Sequence, residues 1–196
     1  MDLISRIALH FEDSAHSILS SAEELSVPIA EATELMVRSL LANGKILACG
    51  NGGSASDAQH FVSQLIGHFE RERPELAAIA LNTCSATMSA VANSYAWDEV
   101  FAKQIRALGQ PGDVLLAIST SGNSGSVVAA IEAAHERDLR VVALTGKGGG
   151  AIGGLLREGD IHLCIQHERT SRIQEIHILA IHCICDGIDC LLMGEE

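Results

Sequence analysis

Five short apolar runs, separated by helix-like stretches, limit most strongly what this chain can fold into. Each is nearly continuous in Ala, Ile, Leu and Val, and together they cover residues 45–50, 76–82, 113–119, 140–146 and 160–166. Runs of this kind are typical of parallel strands in a sheet with helices on both faces. The sequence therefore predicts an α/β fold with three layers and a doubly wound parallel sheet.

Helical stretches fill the intervals between and around these strands. We expect helices at about 54–70, 85–107 with a break, 123–138 and 170–192. Before the first strand, residues 3–43 predict two helices, because Pro28 fits the first turn of a second helix. No linker or repeat interrupts the pattern. We therefore expect a single domain over residues 1–196, with N-terminal helices in 1–43, an α/β core in 44–168 and a C-terminal helix in 169–193.

Composition excludes several classes of protein. The net charge of −12 and the 3% of aromatic residues argue against direct nucleic-acid binding, which needs basic groups for the phosphates and rings for the bases. The six cysteines include no C-x-x-C pair, which favours free thiols in a reducing compartment. The N-terminus does not resemble a signal peptide, and no apolar run approaches about 18 residues. We expect a cytoplasmic protein without a membrane partner.

The loop after the first strand has the composition of an anion-binding site. It reads "GNGGSAS", and its glycines would leave backbone amides free at the start of the next helix. We therefore expect phosphate binding by Asn51, Gly52, Gly53 and Ser54. The loop also fits the dinucleotide pattern G-x-G-x-x-G/A, but the second strand ends in "LNTCSA", without the acid that would hold a ribose. A phosphate on a smaller ligand is the favoured interpretation.

A second loop of the same character follows the third strand. It reads "STSGNS" and carries four hydroxyl residues: Ser119, Thr120, Ser121 and Ser124. One hydroxyl would suffice to cap the helix that follows, so an ordinary capping turn is the alternative. The number of hydroxyl groups favours a bound phosphate.

Four motifs in order carry a resemblance to a known family. "GNGGSA…DAQHF", "ISTSGNS", "ALTG" and "RIQEIH…IH" resemble the sugar isomerase (SIS) domain family over nearly the whole chain. More narrowly, they resemble the group that contains phosphoheptose isomerases and DnaA initiator-associating proteins. The resemblance implies a flavodoxin-like fold, a homotetramer with sites between subunits, and a Ser/Thr loop around a sugar phosphate.

The resemblance also implies four functional side chains, which bind zinc in the isomerases. They are matched here by His60, Gln64, Gln174 and His182, with the positions of Gln64 and His182 implied to be the acid–base pair. Spacing places His60 and Gln64 on one helix face. Gln174 and His182 lie roughly 12 Å apart along a helix. Both could bind one metal only if their side chains reached toward each other, or if two chains supplied the ligands. Spacing alone favours a buried, hydrogen-bonded histidine at position 182, whereas the resemblance implies a functional one.

Several acids of the family pattern are missing. Gln64 stands where the family has Glu, and a carboxamide can neither accept the proton nor bring negative charge to zinc. Cys84, Ser94 and Gly148 also replace acids; Ser94 and its neighbour Asn93 match positions at the substrate. The missing acids indicate that the catalytic activity has been reduced while phosphate binding has been retained.

Three functions remain open from the sequence. The first is a phosphoheptose isomerase, which would convert sedoheptulose 7-phosphate to D-glycero-D-manno-heptose 7-phosphate for cell-envelope heptose, impaired by Gln64. The second is a catalytically inactive replication regulator that binds an initiator protein, and the third is a sugar-phosphate sensor. Other residues have structural interpretations alone. The segment "FERERP" (69–74) is expected to be a solvated helix end, and His135, His162 and His167 are expected at the surface.

Overall fold

Five parallel strands form the centre of the molecule in a computed structural model that describes residues 2–194. The sheet order is β2-β1-β3-β4-β5, and every neighbouring pair is parallel. This is the strand order of flavodoxin-like folds, so the predicted fold class is confirmed. The strands are β1 (Ile46–Gly50), β2 (Ala78–Ala80), β3 (Val114–Ser119), β4 (Arg140–Gly146) and β5 (Ile161–Ile165).

Helices cover both faces of this sheet. They are α1 (Leu3–Leu41), α2 (Gly53–Ile66), α3 (Ser85–Ser94), α4 (Glu99–Leu108), α5 (Gly125–Glu136), α6 (Gly150–Leu155) and α7 (Thr170–Met193), with a 3₁₀ turn at Lys147–Gly149. Alternate residues of the strands face opposite sides, because successive side chains of a strand point in opposite directions. Ile46 and Ala48 pack under α1, α2 and α7, whereas Leu47 and Cys49 pack under the other helices.

The N-terminal region differs from the sequence prediction. Residues 3–41 form one helix of 39 residues, with Pro28 in its interior, so the prediction of two helices is wrong. Proline removes one hydrogen bond and can bend a helix, but it need not end it. Leu25 precedes the proline and Ala32 and Met36 follow it, and all three are buried in one core cluster. Packing on both sides of Pro28 holds the helix together.

Charged and histidine side chains that the sequence places at the surface are partly buried. Arg73, in the "FERERP" segment, is only 7% exposed. The side chain of His135 is 5% exposed and lies 2.7 Å from the Asp160 carboxylate. His162 is half-buried and contacts the Thr145 hydroxyl at 2.7 Å. Each of these groups has a polar partner, which is the condition for burying it.

One helix of the described chain, α7, is long and apolar enough to cross a membrane by length and composition. The sequence analysis had missed it, because the criterion of an unbroken apolar run ignores mean hydropathy. In the fold, however, α7 packs against α1 and α2. Its fully buried residues include Ile173, Ile181, Ile184 and Ile188. Its apolar character is therefore explained by the core.

Candidate active site at the carboxyl ends of β1 and β3

The two predicted loops meet at one edge of the sheet. β1 and β3 are neighbours, and the helices that follow them, α2 and α5, lie on opposite faces of the sheet. A crevice opens between neighbouring parallel strands where the strand order reverses in this way, and α/β proteins bind ligands there.

The loop after β1 is shaped by glycines with separate roles. Gly52 has φ +57°, in the left-handed region that glycine adopts without strain. α2 begins at Gly53, and no side chain among the described residues caps it. A Cβ at Gly53 would overlap the amide nitrogen of Gln174, so this side chain of α7 lies directly over the start of α2. The free amides of α2 and the Gln174 carboxamide therefore face the same space.

Asn51 ties the first loop to the second. Its Nδ2 donates to the hydroxyl oxygens of Ser124 and Ser126, both at 2.8 Å. Ser124 is the N-cap residue of α5, yet its hydroxyl makes no capping hydrogen bond within the described structure. The capping alternative for this loop is therefore not realised. Two helix N-termini without side-chain caps face one crevice, which is a favourable arrangement for an anion.

The other predicted hydroxyl residues line the same loops. Ser54 and Ser119 are buried, and Thr120 and Ser121 are half-buried. Ser121 accepts a hydrogen bond from the Asn123 amide at 3.2 Å, which helps to shape the turn.

The segment after β4 contacts the loop that follows β3. The amide of Ala151, at the start of α6, donates to Asn123 Oδ1 at 2.9 Å. Gly122 has φ +66°, and a Cβ there would overlap the backbone of Gly149. The glycine-rich segment after β4 thus allows close backbone contact. Its role was not predicted, although the three consecutive glycines Gly148 to Gly150 are a signal of such an approach.

A histidine pair lies farther along α2. His60 Nε2 and His182 Nε2 are 3.0 Å apart, and the amide nitrogen of Gln64 is 3.4 Å from the same His60 nitrogen. One ring nitrogen must carry a proton and donate it to the other. The ring of Phe69 packs against His182, with centroids 5.7 Å apart. Burial, followed by the charge of His182, lowers the pKa of His60, which favours a neutral imidazole at neutral pH.

The structure brings together three of the four predicted metal-site residues. His60, Gln64 and His182 form one cluster, while Gln174 lies at the start of α2. Gln174 and His182 are eight residues apart on α7, and Gly53 and His60, which they contact, are seven apart on α2. The two helices therefore run side by side, and about 10 Å along α2 separates the histidine pair from the loops after β1 and β3, the anion loops.

The donor groups present here fit zinc poorly. Two nitrogens on one tetrahedral zinc lie about 3.3 Å apart, so the His60–His182 spacing is close to suitable. The other nearby donor, Gln64, is neutral, and Gln174 lies two turns away. Among the described residues, no three His, Cys, Asp or Glu side chains are grouped so that they could hold a metal. Two imidazoles are thus the only strong zinc ligands of the site.

The predicted substrate residues Asn93 and Ser94, and Cys84 at one of the positions without the family acid, lie at the two ends of α3, between β2 and β3. Asn93 and Ser94 are exposed at the end of α3, and neither side chain hydrogen-bonds to the anion loops in the described part of the chain. Cys84 is the exposed N-cap residue of α3. Hydrogen bonds from the side chain and backbone of Thr87 lower the pKa of the Cys84 thiol.

Asp57 is an acid of α2 that the sequence analysis missed. It lies three residues before His60 and seven before Gln64, so helical spacing alone could have indicated it. Its Oδ2 is buried and has no hydrogen-bond partner within residues 2–194. Burial raises the pKa of Asp57 to about 6. The helix that bears His60 thus carries a carboxyl group that changes charge near neutral pH.

Comparisons with known proteins agree with this geometry. The SIS domain family matches residues 10–146. The phosphoheptose isomerase of Azoarcus sp. strain BH72 is 63% identical over 196 residues, covering all of both chains. The structure of phosphoheptose isomerase GmhA from Neisseria gonorrhoeae is 51% identical with a TM-score of 0.92, covering 96% of this chain and 99% of that one. For a phosphoheptose isomerase from Francisella tularensis, the identity is 45%, the TM-score 0.94, and the coverage the same.

Proposed function

The chain belongs to the SIS domain family, and on that premise we propose that it is a phosphoheptose isomerase. It would interconvert sedoheptulose 7-phosphate and D-glycero-D-manno-heptose 7-phosphate. The observation that carries the proposal is the position of the histidine pair, two turns of α2 from the anion loops. A long sugar phosphate held by its phosphate at one end would present its other end to these histidines.

Phosphate binding would use groups that the fold leaves free. The uncapped N-termini of α2 and α5 supply backbone amides and the positive ends of two helix dipoles. Hydroxyl groups of Thr120, Ser121 and Ser124 could add donors, and Gln174 supplies a carboxamide over the first helix. These groups hold a dianion without a basic patch, which agrees with the acidic composition.

Proton transfer requires a base other than Gln64. Aldose–ketose isomerisation removes a proton from one of the two carbons C1 and C2 and returns a proton to the other, through an enediol. A carboxamide cannot carry that proton, whereas a neutral imidazole can. We assign this role to the pair of His60 and His182, since the lowered pKa of His60 keeps it ready to accept a proton. General base catalysis typically contributes about 10²–10⁴-fold to the rate.

The proposed proton transfer does not depend on bound zinc. His60 and His182 would hold it, and when bound it could polarise the sugar carbonyl. Because the remaining donors are neutral, the affinity should be lower than in a site with a carboxylate. The proton transfer is therefore assigned to the protein side chains alone.

We also propose a homotetramer in the cytoplasm, serving heptose synthesis for the cell envelope. Apolar side chains on α1 support association with further copies of the chain, because large exposed apolar surfaces usually mark interfaces. Leu3, Ile4 and Phe11 are 72%, 81% and 74% exposed. The alternatives of an initiator-binding replication regulator and a sugar-phosphate sensor gain no specific observation from the site.

The proposal is tested by turnover of sedoheptulose 7-phosphate by the purified protein, beside a His182→Ala variant. We expect formation of the heptose aldose by the wild type and a loss of at least about 10²-fold in the variant. Binding of the sugar phosphate without turnover would overturn the isomerase proposal and favour the sensor. Absence of both binding and turnover would favour the replication regulator.

A further inference from the structure

Arg73 is buried, and all three nitrogens of its guanidinium group donate hydrogen bonds. Its side chain is 1% exposed, and its guanidinium is paired through Nε with Asp189 Oδ1 at 2.5 Å. The two terminal nitrogens donate only to backbone carbonyl oxygens. This arrangement uses the fixed fork of donors that distinguishes arginine from lysine.

Two of these carbonyl groups belong to the last turn of α2. Arg73 Nη2 donates to the carbonyl oxygen of Gln64 at 2.6 Å, and Nη1 donates to that of Leu65 at 2.9 Å. The last carbonyl groups of a helix have no donor within the helix and carry its negative dipole end. A buried cation there satisfies both requirements. Arg73 is thus the C-terminal cap of the helix that bears His60 and Gln64.

Asp189 connects this cap to α7. It lies seven residues after His182, which is two turns, so both side chains point from the same face of α7. His182 meets His60, and Asp189 meets Arg73. The two helices are therefore joined twice on one side, once by the histidine pair and once by the ion pair.

We propose that Arg73 and Asp189 are positioning residues for the histidine pair. They hold α2 and α7 in the register that brings His60 Nε2 within 3.0 Å of His182 Nε2. A buried ion pair adds little net stability over apolar side chains of the same size, because desolvation offsets the attraction. What it provides is a directional link, and here that link lies beside the histidines and at the opposite end of α2 from the anion loops.

This location predicts a separation of kinetic effects, which rests on the proposed function. A misplacement of about 1 Å at reacting groups can reduce a rate by about 10²-fold. Loss of the link should therefore lower kcat by about 10- to 100-fold. KM should stay within about twofold of the wild-type value, since the phosphate is held at the N-termini of α2 and α5.

The first test compares Asp189→Asn with Asp113→Asn. Asp113 is a matched control because its carboxylate is also 2% exposed and paired, with Lys45 at 2.6 Å, directly before the first residues of β1 and β3. We would measure kcat, KM and the imidazole ¹⁵N signals of His60 and His182. Only Asp189→Asn should lower kcat and shift both histidine signals. Equal losses of kcat in both variants, with unshifted histidine signals, would mean that the pair serves stability alone and would overturn the proposal.

A second variant removes the risk that Asp189→Asn fails to fold. The double replacement Arg73→Met with Asp189→Leu exchanges the ion pair for apolar side chains of similar volume, and it leaves no unpaired charge buried. We expect a folded protein with shifted histidine signals and the same loss of kcat. A folded double variant with wild-type kcat and wild-type histidine signals would overturn the proposal. The histidine signals need no substrate, so they decide the positioning role even if the wild type proves inert on sedoheptulose 7-phosphate.

Discussion

His60 Nε2 and His182 Nε2 meet at 3.0 Å, although 122 residues separate them along the chain. Spacing along one helix could not have paired the two histidines, because they lie on α2 and α7. The contact depends on the parallel packing of α2 against α7, and it converts two ordinary histidines into a pair that shares one proton. The pair lies where the family carboxylate would act, and it is the chemical centre of the proposed isomerase.

Gln64→Glu should increase zinc binding. The new carboxylate would stand 3.4 Å or closer to the His60 nitrogen and supply the negative charge that the present donors lack. Metal content after dialysis against limiting zinc would rise toward one ion per chain. Gln59→Glu adds the same charge at an exposed position of α2 and should leave zinc content at the wild-type level. Equal zinc content in all three proteins would refute the prediction.

Gly53→Ala should weaken sugar-phosphate binding by about tenfold without unfolding the protein. The new methyl group would displace the Gln174 carboxamide from the start of α2. Binding measured by calorimetry, together with the thermal midpoint, checks both parts. Gly154→Ala has open space around it and serves as the control. If Gly53→Ala acts through Gln174, adding it to Gln174→Ala should cause little further loss; fully additive losses would contradict this reading.

Asn51→Ala should raise KM for the sugar phosphate, because it removes the link between the two anion loops. Each lost hydrogen bond should also lower the free energy of unfolding by about 1 kcal/mol. Gln104→Ala is a matched control, since Gln104 donates two hydrogen bonds to the carbonyl oxygens of Leu81 and Val100. It should lose similar stability with KM unchanged. A KM increase of the same size in both variants would show that stability alone is responsible.

The contribution of His177 to the stability of the protein should fall as the pH is lowered from 6.5 toward 4, whereas the raised pKa of Asp57 acts in the opposite direction. Burial lowers the pKa of His177 to about 4, so in this range the unfolded chain binds a proton that the folded chain does not. The part of the free energy of unfolding that depends on His177 therefore decreases as the pH falls. His177→Gln should show a shallower decrease, by up to one proton. Urea titrations at several pH values would test this, and identical slopes for both proteins would contradict it.

Cysteine reactivity should follow burial. Cys84 is exposed and hydrogen bonds from Thr87 lower its pKa, whereas burial raises the pKa of Cys49 and Cys185 to about 12. Brief alkylation at pH 7.5, followed by peptide mass spectrometry, should label Cys84 first and spare the two buried thiols. Thr87→Val should slow the labelling of Cys84. Early labelling of Cys49 would be inconsistent with the packed sheet.

The strands could be predicted from sequence because burial on both faces leaves near-continuous apolar runs. The positions of the two loops could be predicted for a similar reason: glycines and hydroxyl residues directly after a parallel strand have a local structural meaning. Their binding of a phosphate stays a prediction. β4 was predicted to the residue, at 140–146. By contrast, Pro28 misled the prediction for α1, since the packing that carries the helix past it is not local.

Contacts between distant segments were the features that sequence could not supply. "FERERP" has the composition of a solvated segment, and Arg73 is buried only because Asp189 lies 116 residues away in the chain. The same limit applied to the histidine pair. Spacing on α7 correctly indicated that Gln174 and His182 lie far apart, but only the fold shows which parts of α2 they contact, Gly53 and His60 respectively.

The most direct test of the proposed function is proton NMR of sedoheptulose 7-phosphate incubated with the protein in D₂O. Isomerisation through an enediol with solvent-exchangeable base protons predicts loss of the C1 proton signals and appearance of the heptose aldose, both abolished in His182→Ala. Binding of the sugar phosphate, seen as line broadening, with the C1 protons retained over days would contradict the isomerase and leave the site as a binding site alone.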